Sequence, residues 1–110
     1  MNIIYKTTNL INGKIYVGKH VQDGLEFDGY LGSGKILKFA IEKYGRDNFM
    51  RETLEVAETE QLAFDREIYW INELKCTNNK IGYNITVGGL GLDSQTAREI
   101  SYRPSIRKSR

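Results

Sequence analysis

The pattern of apolar and polar residues over positions 2–19 predicts a β-hairpin. Two runs rich in β-branched and aromatic side chains flank Asn12-Gly13, a dipeptide that tolerates the positive φ of a tight turn. Closing the hairpin there brings Tyr5 and Tyr16 into the same neighbourhood and leaves their exact register open. By residue type alone, the two tyrosines favour ordinary cross-strand packing.

A polar, glycine-rich loop over residues 20–34 precedes the first predicted helix. The helix covers residues 35–44, because its apolar side chains recur at the spacing of one buried face. Ser33 is predicted to cap its N-terminus, and Gly45 is the residue type expected just beyond a helix C-terminus.

The next part of the chain predicts one more strand and one more helix. Residues 49–56 alternate weakly, as a third strand would, and residues 60–74 follow as a helix with Thr59 as its N-cap. The order strand, strand, helix, strand, helix predicts an α+β domain, with a small three-stranded antiparallel sheet flanked by helices. We assign residues 1–92 to this domain and residues 93–110 to a tail or linker.

One acidic residue interrupts the apolar face of the second helix. Glu67 lies four residues after Ala63 and three before Trp70, on the same side of the helix. A carboxylate among apolar side chains costs free energy unless it is paired or binds a cation. The residues alone leave two interpretations open: a structural ion pair with Arg66 or a lysine, or a metal ligand.

Composition is that of an ordinary globular domain. The 110 residues are 40% hydrophobic and 27% charged, which excludes a disordered or collagen-like chain. No apolar run approaches the roughly 20 residues that cross a bilayer, so no membrane association is expected. The single cysteine, Cys76, excludes an intrachain disulfide, and the N-terminus lacks a signal peptide. These features predict a cytoplasmic protein.

The net positive charge is concentrated at the C-terminus. Residues 1–92 contain 11 basic and 12 acidic residues, whereas residues 93–110 contain five basic and two acidic residues. A basic tail favours an acidic partner, most often nucleic acid, and a solvated chain end is an equal alternative. The predicted DNA contacts in this tail are Arg98, Arg103, Arg107 and Lys108.

Several short segments together resemble one known family. They are Ile3-Ile4-Tyr5, Tyr16-Val17-Gly18, Tyr30-Leu31-Gly32-Ser33-Gly34-Lys35, Ala40-Ile41-Glu42-Lys43-Tyr44-Gly45, Arg66-Glu67-Ile68-Tyr69-Trp70-Ile71 and Gly82-Tyr83-Asn84. The first two resemble the signature tripeptides of the GIY-YIG nucleases, with Ile3 replacing a glycine and Val17 an isoleucine. The next two are similar to segments of Seg-type phage homing endonucleases. The last two are similar to the helix with the family's metal-binding glutamate and to its closing asparagine motif.

The resemblance implies the GIY-YIG fold and a metal-dependent endonuclease that hydrolyses DNA phosphodiester bonds, by nicking or by double-strand cutting. It implies catalytic functions for Tyr5 and Tyr16, and makes Glu67 the ligand of Mg²⁺ or another divalent cation such as Mn²⁺. The resemblance also implies that the Asn84 amide orders the site or contacts phosphate, whereas by residue type alone it could be a turn asparagine. DNA is the implied partner, no obligate protein partner is evident, and the implied location is the cytoplasm of a phage-infected or bacterial host cell.

One segment departs from the family. Relatives usually carry an arginine in the loop after the second tyrosine, but residues 21–28 contain no basic side chain. Catalysis requires positive charge opposite the phosphate, and His20 and Lys35 are the candidates to supply it. We add Lys19 and Lys38 to Lys35 as predicted DNA contacts. The departure also keeps an alternative function open, a catalytically decayed DNA-binding module on the same fold.

Overall fold

The computed structural model describes residues 1–87 of the chain. The elements are β1 (Asn2–Asn9), β2 (Ile15–Val21), α1 (Lys35–Tyr44), a short 3-10 turn (Arg46–Asn48), β3 (Phe49–Ala57) and α2 (Glu60–Leu74). The strands form one antiparallel sheet in the order β2-β1-β3. The predicted fold class is therefore confirmed. The predicted tail, 93–110, lies outside the described residues, so the division at residue 92 stays a prediction.

β1 and β2 form the predicted hairpin, but its turn is wider than two residues. The backbone N–H of Asn9 donates to the carbonyl of Lys14 at 2.9 Å, so residues 10–13 form the loop. The side-chain oxygens of Asn9 and Asn12 each accept from a backbone N–H two residues ahead at 2.9 Å, which stabilises this wider loop. Gly13 takes the positive φ, 79°, that the dipeptide predicted.

Three residues were predicted to cap or end the helices; two of these predictions are confirmed and one is wrong. The hydroxyl of Thr59 accepts from the backbone N–H of Leu62 at 3.0 Å, as predicted for the start of α2. Gly45, with φ of 90°, ends α1 as predicted. Ser33 does not cap α1, because the N-cap is Gly34 and no side chain bonds there. The chain enters α1 directly against the Tyr16 ring, where only a glycine has room.

Each face of the sheet carries one apolar cluster. On the first face, Ala63 and Ile71 of α2 pack against Ile4 and Val17. The second face carries a cluster made by α1, β3 and the segments beside them: Leu31, Leu37, Ala40, Phe49 and Tyr83. Strand side chains alternate between faces, so Tyr5 lies on the second face, opposite to Ile4.

β3 extends one residue beyond the predicted strand and pairs with β1 through an irregularity between Ile4 and Tyr5. After this shift, Thr7 pairs with Arg51. Residues paired across a ladder lie on the same face, so Arg51 shares the face of Tyr5. Among the described residues, no helix is long and apolar enough to cross a membrane.

Candidate functional site

Tyr5 and Tyr16 lie side by side on the second face of the sheet. Tyr5 pairs with Gly18 and Tyr16 with Thr7, so the two tyrosines are diagonal neighbours. Their ring centroids are 6.3 Å apart and the rings are tilted by 37°. A Cβ on Gly18 would lie only 2.7 Å from Cζ of Tyr5, so this glycine provides the space that the phenol occupies.

The Gly32-Ser33-Gly34 segment encloses the other tyrosine. A Cβ on Gly32 would lie 2.9 Å from Cε2 of Tyr16, and one on Gly34 would lie 2.6 Å from its Cε1. The Tyr16 hydroxyl also bonds to the Ser33 side chain and the Gly34 backbone. Gly32 and Gly34 therefore hold the ring of Tyr16 in place.

His20 continues the aromatic group from the end of β2. Its Nε2 lies 2.7 Å from an Asp28 carboxylate oxygen, and its ring stacks on Tyr30 with centroids 4.2 Å apart. The Tyr30 ring in turn meets the edge of Tyr5 at 6.0 Å. The bond from His20, together with the Tyr30 backbone N–H, lowers the pKa of the Asp28 carboxyl. Sequence analysis assigned no function to Asp28 or Tyr30. The sequence feature that could have indicated them is a glycine, Gly29, with a polar residue on each side.

Glu67 approaches the tyrosines from α2. Its side chain is buried on the helix face that carries Ala63 and Ile71, as the pattern predicted. Burial is the largest cause that raises the pKa of Tyr5, and the Glu67 charge acts in the same direction. Burial and then Glu67 also raise the pKa of Tyr16, against the hydrogen bond from its loop. The carboxylate is therefore close enough to act on both phenols.

The Arg66 side chain forms an ion pair with Glu55 of β3, and the two interpretations of Glu67, an ion pair with Arg66 or a lysine or a metal ligand, stay predictions. The Arg66 Nε donates to both carboxylate oxygens of Glu55, at 2.8 and 3.0 Å, and its guanidinium stacks on Tyr69. Trp70 donates to the same Glu55 carboxylate at 2.8 Å. Arg66 is thus engaged on the β3 side of α2.

The donor set suits a hydrated magnesium ion better than a closed metal cage. Among residues 1–87, no group of three His, Cys, Asp or Glu side chains could hold a metal ion. Mg²⁺ keeps several waters and commonly uses one or two carboxylates together with phosphate oxygens of the substrate. One carboxylate, Glu67, whose charge acts on both phenols, fits that requirement.

Asn84 binds the backbone of β2 with its whole amide. Its Oδ1 accepts from the Val17 N–H at 2.9 Å, and its Nδ2 donates to the Val17 carbonyl at 2.8 Å. The neighbouring Tyr83 N–H donates to the Ile15 carbonyl at 2.8 Å. Of the two predicted functions, this geometry favours ordering the strand that carries Tyr16 over contacting phosphate.

The predicted DNA-contacting lysines lie at the surface. Lys35 and Lys38 line a shallow groove of about 360 Å³ along α1, beside the exposed ring of Phe39. Lys19 is half-buried on β2 and pairs with Ile4, on the face opposite to Tyr5. The structure therefore does not bring Lys19 together with the lysines of α1. The predicted contacts Arg98, Arg103, Arg107 and Lys108 lie outside the described residues.

Sequence reasoning missed the cation that lies nearest to Tyr5 on the second face. The Arg51 guanidinium is 5.5 Å from the Tyr5 ring centroid, and the side chain is only 2% exposed. The alternation of side chains along β3 could have indicated this arginine. Arg51 lies two residues after the buried Phe49, so both side chains lie on the same face of the strand.

Comparison with known proteins identifies phage endonucleases as relatives. The segE protein of Enterobacteria phage T4 is 47% identical over 92 residues, which are 82% of this chain and 43% of segE. Endonuclease segA of the same phage is 39% identical over 104 residues, 94% of this chain and 44% of segA. The chain thus spans less than half the length of these curated relatives. No family model matches the chain.

The fold is also that of a solved nuclease domain. A mutant catalytic domain of the intron endonuclease I-TevI matches with a TM-score of 0.62 and 28% identity, covering 83% of this chain and 100% of that domain. A second structure of the I-TevI catalytic domain matches with a TM-score of 0.59 and 29% identity, over 78% of this chain and 99% of that domain. The match therefore covers the whole catalytic domain of that enzyme.

Proposed function

Since this chain belongs to the GIY-YIG endonucleases of the Seg and I-TevI type, we propose that it hydrolyses phosphodiester bonds of DNA. The observation that carries the proposal is the pair of tyrosines on the second face, Tyr5 and Tyr16, whose ring centroids lie 6.3 Å apart, and the buried Glu67 on α2, whose charge adds to burial in raising the pKa of both phenols. Ordinary cross-strand packing of two tyrosines requires no carboxylate beside them. A phosphate-binding site with one metal ligand can use a carboxylate for the cation and phenol hydroxyls as hydrogen-bond donors to the phosphate.

Glu67 would hold Mg²⁺, or another divalent cation such as Mn²⁺, which when bound stabilises negative charge on the phosphate. Tyr5 stays protonated at neutral pH, because burial raises its pKa above an already high ordinary value. Its hydroxyl therefore donates a hydrogen bond and does not remove a proton. Tyr16, held by the Gly32-Ser33-Gly34 segment, orients the phosphate beside it.

His20 is the best group to accept the proton of the attacking water. We assign the N–H of its neutral ring to Nε2, because that nitrogen faces the Asp28 carboxylate at 2.7 Å. Nδ1 then carries the lone pair that takes a proton, and Asp28 stabilises the imidazolium that results. Stacking on Tyr30 fixes the plane of the ring. Asn84 supports the reaction by holding β2 and not through the substrate.

DNA is the proposed substrate and partner, in the cytoplasm of an infected or bacterial cell. Lys35 and Lys38 present positive charge along one exposed face of α1, where a phosphate backbone could lie. We propose residues 1–92 as the nuclease domain and residues 93–110, with five basic side chains, as an additional DNA-contacting arm.

The alternative is a DNA-binding module that has lost catalysis. One observation favours it: residues 21–28, which follow β2, contain no basic side chain. Nicking of supercoiled plasmid with and without Mg²⁺ separates the two functions. The nuclease converts the plasmid to open circles only with Mg²⁺. A decayed module leaves it supercoiled, yet retains a short duplex with an affinity that falls as salt rises.

A further inference from the structure

We infer that Arg51 is a positioning residue of the catalytic site, and that it acts by fixing the position of residues 22–30 relative to Tyr5. Residues 22–30 are called the 22–30 loop from here on. The inference rests on the proposed nuclease function, because the groups that the loop carries are those we assign to catalysis.

The guanidinium of Arg51 lies between two aromatic rings. Its Cζ is 5.5 Å from the centroid of Tyr5 and 4.8 Å from that of Phe27. A cation that is 2% exposed loses most of its hydration, which costs free energy unless protein groups replace the water. Ring faces compensate part of that cost, and hydrogen bonds must supply the rest.

Those hydrogen bonds all go to the 22–30 loop. Arg51 Nη2 donates to the Gln22 side-chain oxygen at 2.8 Å, and Nη1 donates to the Tyr30 carbonyl at 3.0 Å. Nη1 also lies 3.4 Å from Oδ1 of Asp28. One side chain therefore contacts the first residue, the last residue and a carboxylate within the loop. Gln22 extends the network, because its amide donates to the carbonyls of Gly24 and Glu26.

The loop has little apolar packing of its own to hold it. Leu25 and Phe27, its largest apolar side chains, are 58% and 52% exposed. Arg46 adds one exposed bond, to the Gly29 carbonyl. The contacts of Arg51 are therefore a restraint on where the loop lies relative to the sheet, together with the bonds that join Gln22 to Met1 and Asp28 to His20.

The position of this loop determines the position of the proposed proton acceptor. Asp28 bonds His20 through Oδ2 while Oδ1 faces Arg51. Tyr30, whose carbonyl binds Arg51, stacks on His20 and meets the edge of Tyr5. Release of the loop would move both supports of His20 together. Arg51 is too buried to touch a phosphate, so its effect reaches the reaction through these groups.

The test compares Arg51→Lys and Arg51→Met with Arg46→Met. Arg46→Met is the matched control for Arg51→Met, because it removes an arginine that also bonds to the 22–30 loop, at the Gly29 carbonyl, but that the structure, over residues 1–87, does not place in contact with Tyr5. We would measure plasmid-nicking kcat and KM with Mg²⁺, duplex affinity, the thermal midpoint, and amide hydrogen exchange of the 22–30 loop. Misplacing a reacting group by 1 Å can cost on the order of 10²-fold in rate. We expect that loss in kcat for both Arg51 variants, with affinity within about twofold, a folded protein and faster loop exchange.

Wild-type kcat in a folded Arg51 variant would overturn the inference, as would a loss no larger than that of Arg46→Met. If both Arg51 variants fail to fold, Gln22→Met removes the Arg51–Gln22 bond, together with the Gln22 bonds to Gly24 and Glu26, and keeps the Arg51 cation. The same loss of kcat and faster loop exchange are expected, and wild-type kcat in this folded variant would overturn the inference. If the wild-type protein does not nick DNA, the proposed function fails, and loop exchange alone decides: unchanged exchange in Arg51→Lys overturns the positioning function.

Discussion

Replacing Gly18 by alanine should destabilise the fold, because the new methyl group enters the space of the Tyr5 ring. The added Cβ would lie 2.7 Å from Cζ and 3.1 Å from Cε2 of that ring. Gly18 pairs with Tyr5 in the ladder, so the backbone cannot withdraw without losing pairing. The ring is 1% exposed and meets Tyr16 and Tyr30 at 6.3 and 6.0 Å, so it cannot swing away freely.

Overpacking of this kind costs about 1–3 kcal/mol. Removing a glycine from a strand returns about 0.5–1 kcal/mol of chain entropy. The difference spans about 0–2.5 kcal/mol, and we expect Gly18→Ala to lower the free energy of unfolding by about 1 kcal/mol, near the middle of that range. In the Tyr5→Phe background the loss should be smaller, because the hydroxyl also contacts the new methyl group.

Urea denaturation of four proteins measures the effect: the wild type, Gly18→Ala, Tyr5→Phe and the double variant. Gly24→Ala is the matched control. A Cβ on Gly24 meets no atom within 4 Å, so this control should be neutral or slightly stabilising. The claim that Gly18 provides the space for the Tyr5 phenol is refuted by either of two results. One is a Gly18→Ala variant as stable as the wild type, and the other is an equal loss in free energy of unfolding with and without the Tyr5 hydroxyl.

Three further predictions concern catalysis, the support of β2 and the tail. Tyr5→Phe and Tyr16→Phe should each reduce kcat by about 10²–10⁴-fold with duplex affinity retained, and wild-type turnover in both would return the pair to simple packing. Asn84→Ala leaves the Val17 N–H and carbonyl unpaired and should cost about 1–3 kcal/mol in urea unfolding; an unchanged midpoint would contradict this. Deleting residues 93–110 should weaken the salt dependence of duplex binding by up to about 0.9 log units per lost contact while nicking persists. The same dependence of duplex affinity on salt in both proteins would show that residues 93–110 do not contact DNA.

Local signals explain why the elements could be predicted. The bounds of α1 and α2 follow from apolar spacing, Gly45 and the Thr59 cap, all of which act within a few residues. Glu67 was identifiable because a carboxylate on an apolar helix face violates the pattern. The error at Ser33 has a tertiary cause, the Tyr16 ring that excludes a side chain at position 34.

The parts of the site that the sequence did not reveal depend on contacts between distant segments. Asn84 bonds Val17, which lies 67 residues earlier, and nothing near Asn84 indicates that partner. Arg51 binds Gln22, 29 residues earlier, so the search for a cation within residues 21–28 could not find it. Tyr30 required the fold to bring it between His20 and Tyr5.

The central claim is that Glu67, beside Tyr5 and Tyr16, makes this fold a metal-dependent nuclease. The most direct test is Mg²⁺-dependent nicking of supercoiled plasmid by the wild type, Glu67→Gln and Glu60→Gln. Glu60 lies in the first turn of the same helix and is exposed, so its substitution makes the same charge change away from the tyrosines. The account predicts that the wild type and Glu60→Gln nick only with Mg²⁺, whereas folded Glu67→Gln does not. Nicking by Glu67→Gln at the wild-type rate would contradict it.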